Sequence, residues 1–329
     1  MIAGAGAARN SIDCDPMTLL LFFLRRIIQL IPALIGITIV AFLLLRVLPG
    51  DPASLLIGAR GSEADVVMLR HQLGLDAPLW QQYLTFLGDV LNGSFGQSLV
   101  QRRPVALVIA ERFWPTILLV VYATLLAILI TLPLATLSAV KRGSLIDLGI
   151  QAFFVAVMSM PAFWLGVLLI LLLGIKVPLF PVAGYGQGFL DRLWHLFLPA
   201  LVIAFGTSAL TIRSLRSSLI AVRSAEFVDT ARSKGLSEGQ VLRRHIMRNS
   251  LISTVSVLSV HTSWVIGGTV VIEAVFALPG MGNLLVTSVF SRDYPVVQGL
   301  TVVFAVLVML ISVLTDLAYA AIDPRIRLQ

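Results

Sequence analysis

A chain of 329 residues that is 58% hydrophobic and only 12% charged is not an ordinary soluble protein, because no core of its size could hide apolar runs this long. The formal charge of +7 does not signal nucleic acid, since the Lys and Arg residues flank apolar spans and do not interleave with aromatics. One cysteine, Cys14, excludes an internal disulfide and a cysteine zinc cluster, and no apolar signal core precedes it to make a lipid anchor.

Residues 1–16 are small and polar without periodicity and read as a disordered tail, with Met17 an alternative start to Met1. Residues 17–48 form an anchor and a first spanning helix: an apolar stretch ends at Arg25 and Arg26, and 27–47 follows. Some twenty residues at 1.5 Å each cross a hydrocarbon core of about 30 Å. The run is too long for a cleaved signal and no small-residue cleavage site follows, so the helix is retained.

Residues 49–114 make the longest polar interval and are expected outside the membrane as an insertion. Pro49, Gly50, Asp51 and Pro52 end the first helix. Two amphipathic pieces, 63–73 and 80–91, are separated by a break at 75–78, and helical character resumes over 104–113 after a turn at Asn92, Gly93, Ser94 and Gly96. The core domain, 115–322, supplies the other spans at 116–140, 148–173, 196–212, 251–272 and 296–320, with a short tail at 323–329. Pro161 interrupts the third. The expected architecture is therefore all-α with six transmembrane helices.

Six spans put both termini on one side, and that side collects Arg25, Arg26, Lys141, Arg142, Arg325, Arg327 and the basic loop 213–249. The positive-inside rule makes it cytoplasmic, facing anionic lipid. Between Arg223 and Arg248 lie about nine charged side chains, whose immersion at mid-bilayer would cost on the order of 20 kcal/mol. This loop sits in water or against a protein. Its composition reads as a short helix to Lys234, a left-handed stop at Gly235, and a second helix capped by Ser237 with Gln240 three residues on.

No GxxxxGK[ST] loop is present, so ATP hydrolysis by this chain is not expected. The four histidines, His71, His195, His245 and His261, are scattered and no HExxH occurs, which argues against a metalloprotease; no metal, cofactor or catalytic set is assigned. Glu273 and Asp316 lie near span ends, where neither suits a midplane coupling carboxylate. The glycines of GMG (280–282) and GYGQG (184–188) read as turn glycines, and Asp51 and Asp293, beside prolines, as turn-formers. Pro161, Phe163, Trp164 and His261 are candidates for a translocation path, against the plainer alternatives that the first three pack a kinked helix and that His261 packs in the fifth span with a local hydrogen bond.

The stretch Glu226, Phe227, Val228, Thr230, Ala231, Arg232, Lys234, Gly235 and Leu236 resembles the EAA loop of the dipeptide/oligopeptide/nickel permease family of ATP-binding-cassette importers. Val241, Leu242, Arg244, His245, Arg248 and Asn249 continue it, and PGDP, LGLD, NGSFGQS, LPGMGNLL and the Asp323–Arg327 tail match elsewhere. Ser253 departs from the family's usual proline, which implies a less kinked fifth span. The resemblance implies a type I importer permease of the bacterial inner membrane, paired with a second homologous permease, two cytoplasmic ATP-binding subunits and an extracytoplasmic substrate-binding protein. It further implies that Glu226, Asp229, Thr230, Ala231, Arg232, Lys234 and Gly235 couple to the ATPases. The cargo it implies is a di- or oligopeptide, with glutathione or nickel in the same family. A self-contained secondary transporter is the rival class, disfavoured by the absence of a midplane carboxylate.

Overall fold

The computed structural model describes residues 16–47, 62–72 and 76–322, and among these the regular structure is helical. In chain order the helices are α1 (Pro16–Val47), α2 (Glu63–Gln72), α3 (Leu79–Leu91), α4 (Val105–Val140), α5 (Leu145–Ser159) and α6 (Ala162–Leu169), which runs on as a π-helical stretch, Ile170–Lys176. They continue with α7 (Phe189–Arg223), α8 (Glu226–Ser233), α9 (Glu238–Val241), a second π-helical stretch (Leu242–Met247), α10 (Arg248–Val275), α11 (Met281–Phe290) and α12 (Tyr294–Ile322). The turn expected at Pro49–Pro52, including Asp51, and the tail from Asp323 lie outside the described residues.

Among the described residues, α4, α7 and the first 22 residues of α12 are long and apolar enough to cross a membrane. Helix α1, at 32 residues, and α10, at 28, reach about 48 and 42 Å at 1.5 Å per residue. The third expected span departs from a simple kink: α5 and α6 meet at 110°. Met160 explains the sharpness. A residue before proline is pushed out of the helical region, and Met160 sits extended (φ −95°, ψ 133°), with Pro161 opening the next helix. Pro115, Pro133 and Pro199 are instead carried inside continuous helices. Helix α4 therefore begins at Val105, through the point where the sequence suggests a break, and α7 continues to Arg223, well past the end of the short span expected there.

Helices α4 and α7 share the most extensive interface. Small residues let their backbones approach: Ala123, Ala127, Ala135 and Ala139 on α4 are buried, as are Ala200, Ala204 and Ala209 on α7. Side-chain hydrogen bonds pin the register, with Ser208 Oγ donating to the Ala127 carbonyl at 3.3 Å and the Thr131 and Thr211 hydroxyls 3.0 Å apart. Among the described residues, buried apolar side chains fall into three clusters. One joins α4, α6, α7 and the end of α10 around Leu119, Leu196 and Phe276. A second joins α4, α5, α7, α8 and α9 around Ala135, Phe154, Leu215 and Val228. The third holds Val105, Ile266, Met281 and Leu300 of α4, α10, α11 and α12. Helix α1 attaches through Gln298 of α12, whose Nε2 donates to the Ala41 carbonyl at 2.7 Å, and Thr38 meets the Tyr83 hydroxyl of α3 at 2.9 Å.

Candidate coupling surface and its supports

The polar interval after α7 folds as its sequence suggests. Val228 and Ala231, three residues apart and so on one side of α8, are buried in the second cluster, which seats the helix on the ends of α4, α5 and α7. The helix stops at Lys234, Gly235 takes φ +81°, and its N–H donates to the Arg232 carbonyl at 2.9 Å. Ser237 then opens α9, its N–H donating to Gln240 Oε1 at 3.2 Å in a capping box.

What α8 presents outward is Glu226, Phe227, Asp229, Thr230 and Lys234, followed by Gly235. Phe227 is 45% exposed, an aromatic ring on an otherwise polar tip. Two of the residues singled out from sequence serve the hairpin itself. Ala231 faces the core, and Arg232 staples the turn by donating to Asp229 Oδ1 at 3.0 Å and Glu238 Oε1 at 2.8 Å. Glu238, with Asp229, holds the Arg232 guanidinium above its ordinary pKa.

Behind this surface lies an ion pair, a buried carboxylate held by a partly buried arginine, to which the sequence offered only partial clues. Asp147, 2% exposed, opens α5. Arg216 of α7 grips it through one edge of the guanidinium, Nε donating to Oδ1 at 2.8 Å and Nη2 to Oδ2 at 2.7 Å. The remaining acceptor sites are filled by the Ser138 hydroxyl of α4 (2.5 Å), the Gly143 N–H (2.9 Å) and Gln151 Nε2 (2.8 Å). Ser-x-x-Asp over 144–147 is a legible helix start, with Ser144 Oγ accepting from the Asp147 N–H at 3.3 Å. Nothing in the sequence pairs that Asp with an Arg 69 positions away.

At the other end of the core, Glu273 is fully buried at the close of α10 and caps α11 from outside it. Its Oε2 accepts from the N–H groups of Gly282 (2.7 Å) and Asn283 (3.1 Å), two of the free donors of the first turn. Its Oε1 accepts from the Thr116 hydroxyl of α4 at 2.6 Å, and Thr116 Oγ1 accepts in turn from the Met281 N–H at 2.8 Å. This corrects the reading of the GMG glycines as turn glycines. Gly280 and Gly282 have negative-φ backbones, and they are small because a Cβ at Gly280 would stand 2.2 Å from Glu273 Oε2, and one at Gly282 2.5 Å from Val270 Cα. The GYGQG glycines do turn the chain, with φ of +90°, +73° and +82°.

Asp293 is likewise more than a turn-former. Buried at the start of α12, it accepts from the Ser98 hydroxyl and from the Leu99 N–H at 3.0 Å, strapping the 97–104 turn onto the core. Of the candidate path residues, Pro161, Phe163 and Trp164 are exposed at the 110° bend, with Phe163 50% and Trp164 45% exposed. The His261 side chain lies outside the described residues.

Residues 131–328 match the family model described as binding-protein-dependent transport system inner membrane component, and 19–120 match the N-terminal model of the same system. The oligopeptide transport system permease protein AppB of Bacillus subtilis (strain 168) is 38% identical over 311 residues, covering 93% of this chain and 98% of the relative. The glutathione transport system permease protein GsiC of Escherichia coli (strain K12) is 37% identical over 306 residues, covering 93% and 98%. Among solved structures, a chain of the inward-facing MetNI methionine ABC transporter superimposes with a TM-score of 0.55 over 66% of this chain and 96% of its own, at 18% identity, which speaks for the fold alone. The apolar helices, the seated polar hairpin after α7 and these matches together make the chain a member of the binding-protein-dependent transport system inner membrane component family, a permease of an ATP-binding-cassette importer.

Proposed function

We propose that this permease crosses the bacterial inner membrane six times, with both termini cytoplasmic, and encloses one peptide path together with a second, homologous permease. Two separate ATPases would engage α8 and an extracytoplasmic binding protein would deliver the cargo, residues 49–114 forming the outer insertion. The observation that carries the reading is the build of α8: an inner face of Val228 and Ala231 fixes it to the spans, while Phe227, Asp229, Thr230 and Lys234 are left facing outward. A motor gripping that outer face transmits force to α4, α5 and α7 through packed side chains, and closing and opening of the ATPases then rocks the path between inward- and outward-open states. Coupling of this kind requires that α8 make different contacts in the two states.

Peptide is the first cargo to test because the oligopeptide permease of Bacillus subtilis is 38% identical over nearly the full length of both chains. Glutathione is the second, because the glutathione permease of Escherichia coli is 37% identical over a similar span. The test is reconstitution in liposomes of the permease with its partner permease, ATPases and binding protein, followed by uptake of radiolabelled trialanine and of radiolabelled glutathione. Uptake that needs ATP on the α8 side supports the reading. Uptake by the permease alone, driven by an ion gradient, refutes it.

A further inference from the structure

We infer that Asp147 and Arg216 are positioning residues for coupling: they lock the base of α4 and α5 to the stem that carries α8, so that these four helices move as one body. The inference rests on the importer reading and specifies which part of the permease the motor carries with it.

Three observations meet at this point. First, the pair spans elements that chain connectivity alone does not hold together. Asp147 opens α5, Ser138 closes α4, and Arg216 lies on α7, which continues unbroken to Arg223, three residues before α8 begins. Second, the acceptor set is full. Asp147 receives five hydrogen bonds, two from Arg216, and Arg216 Nε also reaches Ser138 Oγ at 3.0 Å. Third, the apolar cluster containing Val228 and Ala231 of α8 also contains Ala135, Phe154 and Leu215, so the same bases are joined by packing and by charge.

A buried ion pair is a weak device for stability, because desolvation cancels much of the attraction and apolar replacements often do as well. It is a strong device for geometry. The planar guanidinium accepts one orientation of the carboxylate, and sliding α5 against α7 by half a turn breaks both hydrogen bonds while leaving the buried Asp147 carboxylate without its cation. Apolar packing between the same helices tolerates small slips much better. The joint therefore resists the one motion that would waste the stroke of α8, a slip of α7 past the α4–α5 turn.

The test uses the complete importer in liposomes, with Cys14→Ser as background. Spin labels at Ser159→Cys on α5 and Ser233→Cys on α8 report the distance across the joint. A second pair, Ser233→Cys with Ser291→Cys beyond α11, reports the overall switch. With Arg216 intact, the first distance is expected to be the same in the nucleotide-free and vanadate-trapped states while the second changes. In Arg216→Met and Asp147→Asn the first distance should become nucleotide-dependent, and cargo moved per ATP should fall roughly tenfold, within the reach of mutations along a coupled network. The double variant should be no worse than either single, since the second change removes nothing further, and Arg216→Lys, which keeps the charge, should lie between.

Four results overturn the inference: a first distance that changes with nucleotide in the parent, an unaltered transport-to-ATP ratio in the variants, multiplicative loss in the double variant, or failure of all of them to assemble, which would make the pair a folding device. If neither distance responds to nucleotide in the parent, the importer reading fails with it, and the second label pair separates that outcome from failure of the joint alone.

Discussion

Removing the carboxyl of Glu273 is the perturbation for which the structure sets the clearest magnitude. In Glu273→Ala the N–H groups of Gly282 and Asn283 lose their acceptor in a site the structure buries completely. Each buried unsatisfied donor costs about 1–3 kcal/mol, so the two amides alone amount to about 2–6 kcal/mol, before counting Thr116 or the void left behind. Against a typical total of about 5–15 kcal/mol this is severe, and the apparent Tm of the purified importer should fall on the order of 10 °C. Glu273→Gln should be mild, about 1 kcal/mol. Its carbonyl oxygen can still receive both amides, and its NH2 can point at Thr116 Oγ1, a hydroxyl able to accept. Gly280→Ala should resemble Glu273→Ala, because the new Cβ would stand 2.2 Å from Oε2 and 2.3 Å from Cδ and would expel the carboxyl. Thermal unfolding of the four proteins, followed by loss of the monodisperse complex, supplies the ranking. If Glu273→Gln proves as damaging as Glu273→Ala, or Gly280→Ala unfolds with the parent, the capping argument is wrong.

Gly235→Val should leave assembly intact and lower cargo transported per ATP. Nothing stands within 4 Å of a Cβ there, so the strain is confined to the left-handed backbone, at about 1–2 kcal/mol, and falls on the stop between α8 and α9; parallel uptake and phosphate-release assays give the ratio. Phe227→Ala and Val228→Ala should separate by location: the first, at a 45% exposed ring, should weaken retention of the ATPases on a pull-down while Tm holds, and the second, fully buried, should lower Tm by a few degrees. Ser98→Ala removes a buried hydroxyl from Asp293 and should loosen the 97–104 turn by about 1–2 kcal/mol, seen as faster proteolysis between Gln97 and Pro104 without loss of ATPase binding.

How much of this could be read without coordinates depends on whether a feature is local along the chain. The α8–Gly235–α9 hairpin was legible because its signals are short-range: a helical composition over 229–234, a residue that must tolerate positive φ, and Ser237 with Gln240 three positions later. Apolar run lengths likewise marked α4, α7 and α12. Helix ends were less legible. The boundary expected at 114–115, beside Pro115, lies within a continuous helix, as does Pro199, whereas Pro161 bends the chain by 110°. A proline forbids one hydrogen bond and biases its predecessor, but packing decides whether the chain accepts a break there.

Long-range pairing was out of reach. Composition places Asp147, Arg216, Glu273 and Asp293 near span ends, and nothing in it says that they are buried or what they hold. Asp147 meets Arg216 across 69 residues, Glu273 meets Thr116 across 157, and Asp293 meets Ser98 across 195. Sequence alone determined that the chain lives in a membrane, where its polar hairpin interrupts the spans and which family it joins, because burial preference, turn chemistry and motif order are written residue by residue. Only the tertiary structure decided which charges face each other, which glycines are small to admit a neighbour, and which side of α8 faces outward, because those depend on helices meeting in space at one register out of many.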